Sequence, residues 1–160
     1  MSAYYLDTSA LVKRYIQETG TDWVSNLTHP SVGHDLFLGR LAGPELIAAV
    51  TRRARGGHLL AEESTRAIAN FRADWQGQYN VIEFDETIAD LAMTLAAKHG
   101  LRGYDSVHIA TALRLQEIRE SMEESPVIFV SADVEQLDAA RKEGLAVENP
   151  NDYPETPEPD

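Results

Sequence analysis

Four acidic residues stand where a chain of alternating strands and helices would gather side chains. Asp7 follows the short apolar run of residues 3–6, and Glu45 follows Gly43-Pro44. Asp105 opens the stretch Gly103-Tyr104-Asp105-Ser106-Val107-His108, and Asp133 follows the apolar run of residues 127–130 through Ser131-Ala132. Two of these places lie just past strand ends and two at helix starts. In a parallel α/β unit such places share one rim. Each acid alone has a plainer reading, because acids at helix starts cap free N–H groups and complement the macrodipole. Asp22 and Asp85 are read that way. Asp7 is explained least well by capping, since an acid closing a central strand is costly to bury without a partner. Clustered carboxylates repel and raise one another's pKa, so a cluster makes chemical sense with a cation. Oxygen donors without cysteine or a histidine pair favour Mg²⁺, with Mn²⁺ as the alternative. One ion or two at such a site would activate water and neutralise charge on a phosphate.

The elements that must position these acids follow from hydrophobic periodicity. Residues 3–6 read as a first strand, and Ser9 as the cap of a helix carrying Leu11, Val12, Tyr15 and Ile16 on one face. Gly20 ends that helix, Thr21 or Asp22 starts a short second one through Leu27, and residues 29–33 form a loop. Leu36, Phe37, Leu38 and Leu41 mark a second strand, and Pro44 suits the first turn of the helix after it. Residues 61–75 form a long helix, 81–84 a third strand, 85–99 and 104–119 two further helices, and 127–130 a buried strand. A helix over 134–142 and a short strand over 145–147 complete the pattern. Alternation of this kind predicts an α/β fold, with a parallel sheet covered by helices on both faces. The domain is expected over residues 1–148. The Pro-rich acidic stretch 149–160 reads as a disordered tail. No internal repeat is visible.

The length of 160 residues suits a single domain with one full core. No apolar run reaches the roughly 20 residues of a membrane span, and no secretory signal is visible. The absence of cysteine excludes disulfides, thiolate metal sites and cysteine nucleophiles, and agrees with a cytoplasmic setting. The net charge of −12 argues by itself against nucleic-acid binding. The charge is uneven, however. Arg40, Arg52, Arg53, Arg55, Arg66 and Arg72 fall in one segment, whereas acids concentrate late in the chain. A local basic surface on an acidic protein is compatible with this pattern, as is a solvated face laced with salt bridges.

Taken together, the segments Tyr5-Leu6-Asp7-Thr8-Ser9-Ala10-Leu11-Val12-Lys13, Glu45-Leu46-Ile47-Ala48-Ala49-Val50-Thr51-Arg52-Arg53, Leu101-Arg102-Gly103-Tyr104-Asp105-Ser106-Val107-His108-Ile109-Ala110-Thr111-Ala112 and Val130-Ser131-Ala132-Asp133 resemble the PIN domain family. The likeness is to the VapC-type toxins of toxin–antitoxin pairs, and it runs over residues 3–147. The resemblance implies a three-layer α/β/α sandwich and a Mg²⁺-dependent endoribonuclease. It also implies an acidic quartet of Asp7, Glu45, Asp105 and Asp133. Asp7 and Asp105 would be the direct metal ligands, and Asp133 and Glu45 would complete the site, partly through water. Ser9 would orient Asp7 or a water, with Ser131 in a similar role. The expected partners are RNA, a small VapB-like antitoxin that enters the active groove, and a second copy of the chain.

Around this quartet, Arg52 lies two helical turns after Glu45 on the same face, placed for a substrate phosphate or an antitoxin carboxylate. Lys13 follows Asp7 on the first helix and is a second candidate for such a contact. His108 reads as a hydrogen-bonded histidine of the core or rim, one turn after Asp105, and the remaining histidines show no ligand spacing. Other functions compete. A haloacid-dehalogenase-like phosphatase needs a second Asp two residues after the first, where Ser9 stands, and a receiver domain needs an acidic pair closing strand one. A PIN-like module acting only through protein partners, or a nuclease with another nucleic-acid substrate, remains the alternative.

Overall fold

The computed structural model describes residues 1–160. Its centre is strand β1 (Ala3–Leu6), whose alternation sends Ala3 and Tyr5 to one face and Tyr4 and Leu6 to the other. The other strands are β2 (Asp35–Gly39), β3 (Asn80–Ile82), β4 (Val127–Val130) and β5 (Ala146–Glu148). All pair in parallel, in the order β3-β2-β1-β4-β5. Connections leave β1 toward β2 on one side, and the chain returns to β4 on its other side. The crevice beyond the carboxyl ends of β1 and β4 is therefore the switch point at which open α/β sheets bind ligands.

Seven helices cover the sheet: α1 (Thr8–Tyr15), α2 (Thr21–Thr28), α3 (Ala42–Arg55), α4 (Ala61–Gly77), α5 (Glu86–His99), α6 (Gly103–Ser121) and α7 (Val134–Lys142). Two buried clusters flank the sheet. Ala3, Tyr5, Val127 and Phe129 pack with α5, α6 and α7. Leu6, Leu36, Leu38 and Val130 pack with α1, α2, α3 and α4. This is the three-layer α/β/α arrangement. No helix is long and apolar enough to cross a membrane.

Several boundaries differ from the sequence reading, each for a local reason. Asp7, and not Ser9, is the N-cap of α1: its carboxylate accepts from Ala10 N, and Ser9 lies within the first turn. β2 starts one residue earlier than its apolar run, because Asp35 N donates to Ser2 O at the edge of the pairing with β1. β3 takes Asn80 in and leaves Glu83-Phe84 out, since its register is set by pairing with Phe37–Gly39. The end of the chain also makes contacts that its composition does not announce. Pro150–Asp152 forms a 3-10 turn, and the Tyr153 ring stacks on Trp23 at 4.7 Å. Glu155 accepts from the backbone N–H groups of Gly20 and Asp22 at the start of α2.

Candidate active site

Asp7 sits where β1 gives way to α1. Its backbone N–H continues the β1–β4 ladder by donating to Val130 O at 3.0 Å, so the residue is anchored to both central strands. The side chain is only 3% exposed, and its hydrogen bonds are all received. Oδ1 accepts from Ser9 Oγ at 2.7 Å and from Ala10 N at 3.0 Å, while Oδ2 accepts from Ser131 Oγ at 2.7 Å. Burial pushes the Asp7 carboxyl above its ordinary pKa, even though His108 and the donors from Ala10, Ser131 and Ser9 pull it down.

The two serines join the strand ends into one network. Ser9 Oγ accepts from Ala132 N at 2.9 Å, and Ser131 Oγ accepts from Asp133 N at 3.0 Å. Buried Gln136 extends the network, with Oε1 3.1 Å from Ser131 Oγ and Nε2 donating to the carbonyl of Asp105 at 3.2 Å. Gln136 was not legible as a site residue. The one available signal is a polar side chain on the inward face of α7 beside Leu137 and Ala140. Ser131, weighed in the sequence as a secondary helper, is fully buried at the centre of the network.

Asp133 caps α7, with Oδ1 accepting from Glu135 N and Gln136 N at 3.0 and 3.2 Å. Capping and site placement therefore coexist in one carboxylate. Asp105 lies in the first turn of α6, half-buried. Burial raises its pKa, as do the charges of Asp133 and Asp7, against the opposing pull of His108 and Arg102. Three of the acids thus share one electrostatic neighbourhood. Glu45, in the first turn of α3, is held differently, by His108 Nε2 at 2.8 Å. Burial opposes a charge on His108. The Glu45 hydrogen bond and the charges of Asp7, Glu45 and Asp105 outweigh that cost and hold the imidazole above its ordinary pKa.

The rim opens into a cleft of about 390 Å³ lined by Thr8, Glu45, Arg52 and Tyr104 among others. Arg52 and Ala48 also border a larger cavity of about 680 Å³ between α3 and α4, with Arg55, Arg72, Phe71 and Trp75. The chain's ion pairs engage Arg14, Arg40, Arg53, Arg114 and Arg119, and leave Arg52, Arg55 and Arg72 without an acidic partner. Lys13 does not join this surface. It is 5% exposed and pairs with Glu18 at 3.3 Å, an acid that also takes Arg53.

No three carboxylate or imidazole groups converge into a closed metal cage. The donor set nonetheless fits a hydrated hard cation. Mg²⁺ binds through one or two carboxylates and keeps most of its waters, so it needs no all-protein cage. Asp7 and Asp105 both carry a charge that burial disfavours, and Asp7 and Asp133 add repulsion at Asp105, which a cation would relieve. The buried hydroxyl of Thr8, beside Asp7 and lining the Glu45 cleft, has no hydrogen-bond partner in the protein. A metal-bound water would supply one.

The family model for the PIN domain matches residues 4–142. Two curated proteins of Mycobacterium tuberculosis, Ribonuclease VapC45 of strain CDC 1551 / Oshkosh and Ribonuclease VapC49 of strain H37Rv, are each 38% identical over 117 residues, which is 71% of this chain and 76% of theirs. Among solved structures, PAE2754 from Pyrobaculum aerophilum superposes with a TM-score of 0.62 at 19% identity, covering 94% of this chain and 85% of its own. VapBC2 from Rickettsia felis, solved bound to a DNA fragment from their promoter, gives 0.60 at 16% identity, over 92% of this chain and 98% of the other. At these identities the structures speak for the fold.

Proposed function

The chain belongs to the PIN domain family, with VapC ribonucleases among its relatives, and from that premise we propose that it is a Mg²⁺-dependent endoribonuclease, the toxin of a toxin–antitoxin pair. The observation that supports this reading most directly is the shared neighbourhood of Asp7, Asp105 and Asp133 at the switch point of the sheet, with the charges of Asp7 and Asp133 raising the pKa of Asp105. Asp7 and Asp105 are the direct ligands in this proposal, with Asp133 and Glu45 completing the site, partly through water. Held there, Mg²⁺ (or Mn²⁺) would supply an acidified water and would offset charge on the scissile phosphate.

The chain's own residues do the rest. Ser9 and Ser131 donate to opposite oxygens of Asp7 and fix its carboxylate plane. Asp133 spends one oxygen on the cap of α7, and its other oxygen makes no hydrogen bond within the protein. Arg52, lining the cleft beside Glu45, takes an RNA phosphate, and the same charge would accept a carboxylate of a VapB-like antitoxin entering the groove. We assign the nuclease to residues 1–148, acting in the cytoplasm as a homodimer. The test is cleavage of a labelled single-stranded RNA oligonucleotide. Wild type is expected to cut with Mg²⁺ and to stop with chelator, and Asp7→Asn is expected not to cut. Cutting that survives Asp7→Asn would remove the site assignment, and equal cutting of single-stranded DNA would change the substrate class.

A further inference from the structure

Glu45 reaches the site by a different route from the other acids. His108 Nε2 lies 2.8 Å from Glu45 Oε1, and His108 Nδ1 lies 2.8 Å from the hydroxyl of Tyr5. Tyr5 is fully buried and His108 is 3% exposed. The Tyr5 ring stacks on Phe129 at 5.7 Å and meets the imidazole edge-on at 5.9 Å. Its hydroxyl also packs against Gly39, where a Cβ would stand 2.7 Å from it. A carboxylate only accepts, so Nε2 must carry the proton directed at Glu45. In a neutral ring, Nδ1 then accepts from the Tyr5 hydroxyl. In a charged ring, Nδ1–H donates to the Tyr5 oxygen, and the Nε2–H still points at Glu45. The Nε2 proton is thus directed at Glu45 in either charge state, and the Tyr5 hydroxyl donates or accepts to match Nδ1.

The chain of three residues also ties β1 to α6 and α3. Tyr5 lies on β1 two residues before Asp7, which follows the end of the strand and caps α1. His108 is one turn after Asp105 on α6, and Glu45 is on α3. One hydrogen-bonded path therefore connects the strand that leads to Asp7, the helix that carries Asp105 and the helix that carries Glu45. Glu45 Oε1 is committed to the imidazole, while Oε2 has no hydrogen bond within the protein. We propose that His108, oriented by the Tyr5 hydroxyl, is the positioning residue for Glu45, holding one carboxylate oxygen and leaving the other for the cation or its water. The assignment rests on the metal-dependent ribonuclease reading above. In metal sites, partners of this kind are worth about 10–100-fold in metal affinity or activity.

Tyr5→Phe isolates the effect, because it keeps the buried ring and removes only the hydroxyl. With the full chain, Mg²⁺ and a labelled single-stranded RNA oligonucleotide, Tyr5→Phe is expected to melt cooperatively. It should cut with kcat about tenfold lower and need more Mg²⁺ for half-maximal rate, with KM for RNA unchanged. In a Glu45→Ala background the same change should cost nothing further. An equal loss in both backgrounds, or no loss in either, overturns the proposal. His108→Gln keeps a donor for Glu45 and should retain more activity than His108→Ala; equal values overturn it as well. A wild type that cuts no RNA defeats the ribonuclease reading instead, and the assignment is then judged by ¹H–¹⁵N spectroscopy of the His108 side chain. A protected Nε2–H that moves on Glu45→Ala, and an Nδ1 signal that moves on Tyr5→Phe, support it. A ring protonated at Nδ1 alone overturns it.

Discussion

Asp7 concentrates the conflict between stability and function. Its carboxyl is buried, so the ionised form is held less well in the folded protein than in the unfolded chain. The sign follows from linkage. A carboxyl whose folded pKa is raised binds more protons in the native state, so stability falls as pH rises through the interval between the unfolded and folded pKa values. The penalty accumulates as pH rises above the ordinary carboxylate range. Asp7→Asn removes the charge and keeps the shape. Its amide can donate to Ser131 Oγ, whose own proton then goes to Gln136 Oε1. We therefore expect the metal-free variant to melt above wild type at neutral pH, with the gap closing as pH falls below the ordinary carboxylate range of about 4. RNA cutting should be lost at every pH. Thermal melts with chelator across a pH series check the first part, and a variant that melts below wild type at neutral pH would contradict it. Added Mg²⁺ should raise the melting temperature of wild type and leave that of Asp7→Asn unmoved. Ser131→Ala tests the support beneath Asp7. It removes the only donor to Oδ2 and leaves those to Oδ1, so activity should fall about 10–100-fold without disappearing. Single-turnover rates at saturating Mg²⁺ would measure that loss.

At the level of elements, the start of α2 and the end of the chain form a joint that depends on one glycine. Gly20 has φ +87°, and a Cβ there would overlap the carbonyl group of Pro150. The left-handed conformation alone costs a non-glycine residue about 1–3 kcal/mol, and the overlap adds to it. Gly20→Ala should therefore lower the melting temperature by about 5 °C or more, at roughly 2–4 °C per kcal/mol for a chain of this size. Activity per folded molecule should be unchanged, because the joint lies at α2 and not at the acid rim. A melt within a degree or so of wild type would mean that the joint does not hold α2. This joint could not be read from the sequence, since it pairs Gly20 with a Pro-rich stretch whose composition suggests disorder. What was legible shares a different character. Asp7, Asp105 and Asp133 each announce themselves by local grammar, an acid directly after an apolar run or at a helix start, and α/β alternation then places such positions on one rim. The chain Tyr5–His108–Glu45 spans 103 and 63 residues of sequence, and no local pattern encodes it. Lys13 shows the converse. Its position beside Asp7 suggested a groove contact, but the turn of α1 sends its ammonium to Glu18.

For the whole molecule, the problem is how a protein of net charge −12 would hold an RNA. Its long-range field repels a polyanion, so steering cannot come from overall charge. The charges available for phosphate are local: Arg52, Arg55 and Arg72 line adjoining cavities beside the acid rim and have no acidic partners in the fold. A single strand contacted by three cations gives a log–log salt slope near −2, from about −0.7 per phosphate contact. The expected dependence is therefore shallow for a nuclease, and part of it is offset because salt also screens the repulsion from the acidic surface. Arg52→Ala should flatten the slope by about 0.7 and raise KM for RNA, with kcat nearly unchanged, as expected of a phosphate-binding charge set apart from the four acids. The measurement is the cutting rate at subsaturating RNA over a monovalent salt series with free Mg²⁺ held constant. A slope unaltered by Arg52→Ala would remove this arginine from the RNA path. A fall in kcat with unchanged KM would move its role to the reacting phosphate itself, where its position along α3 from Glu45 would then place it.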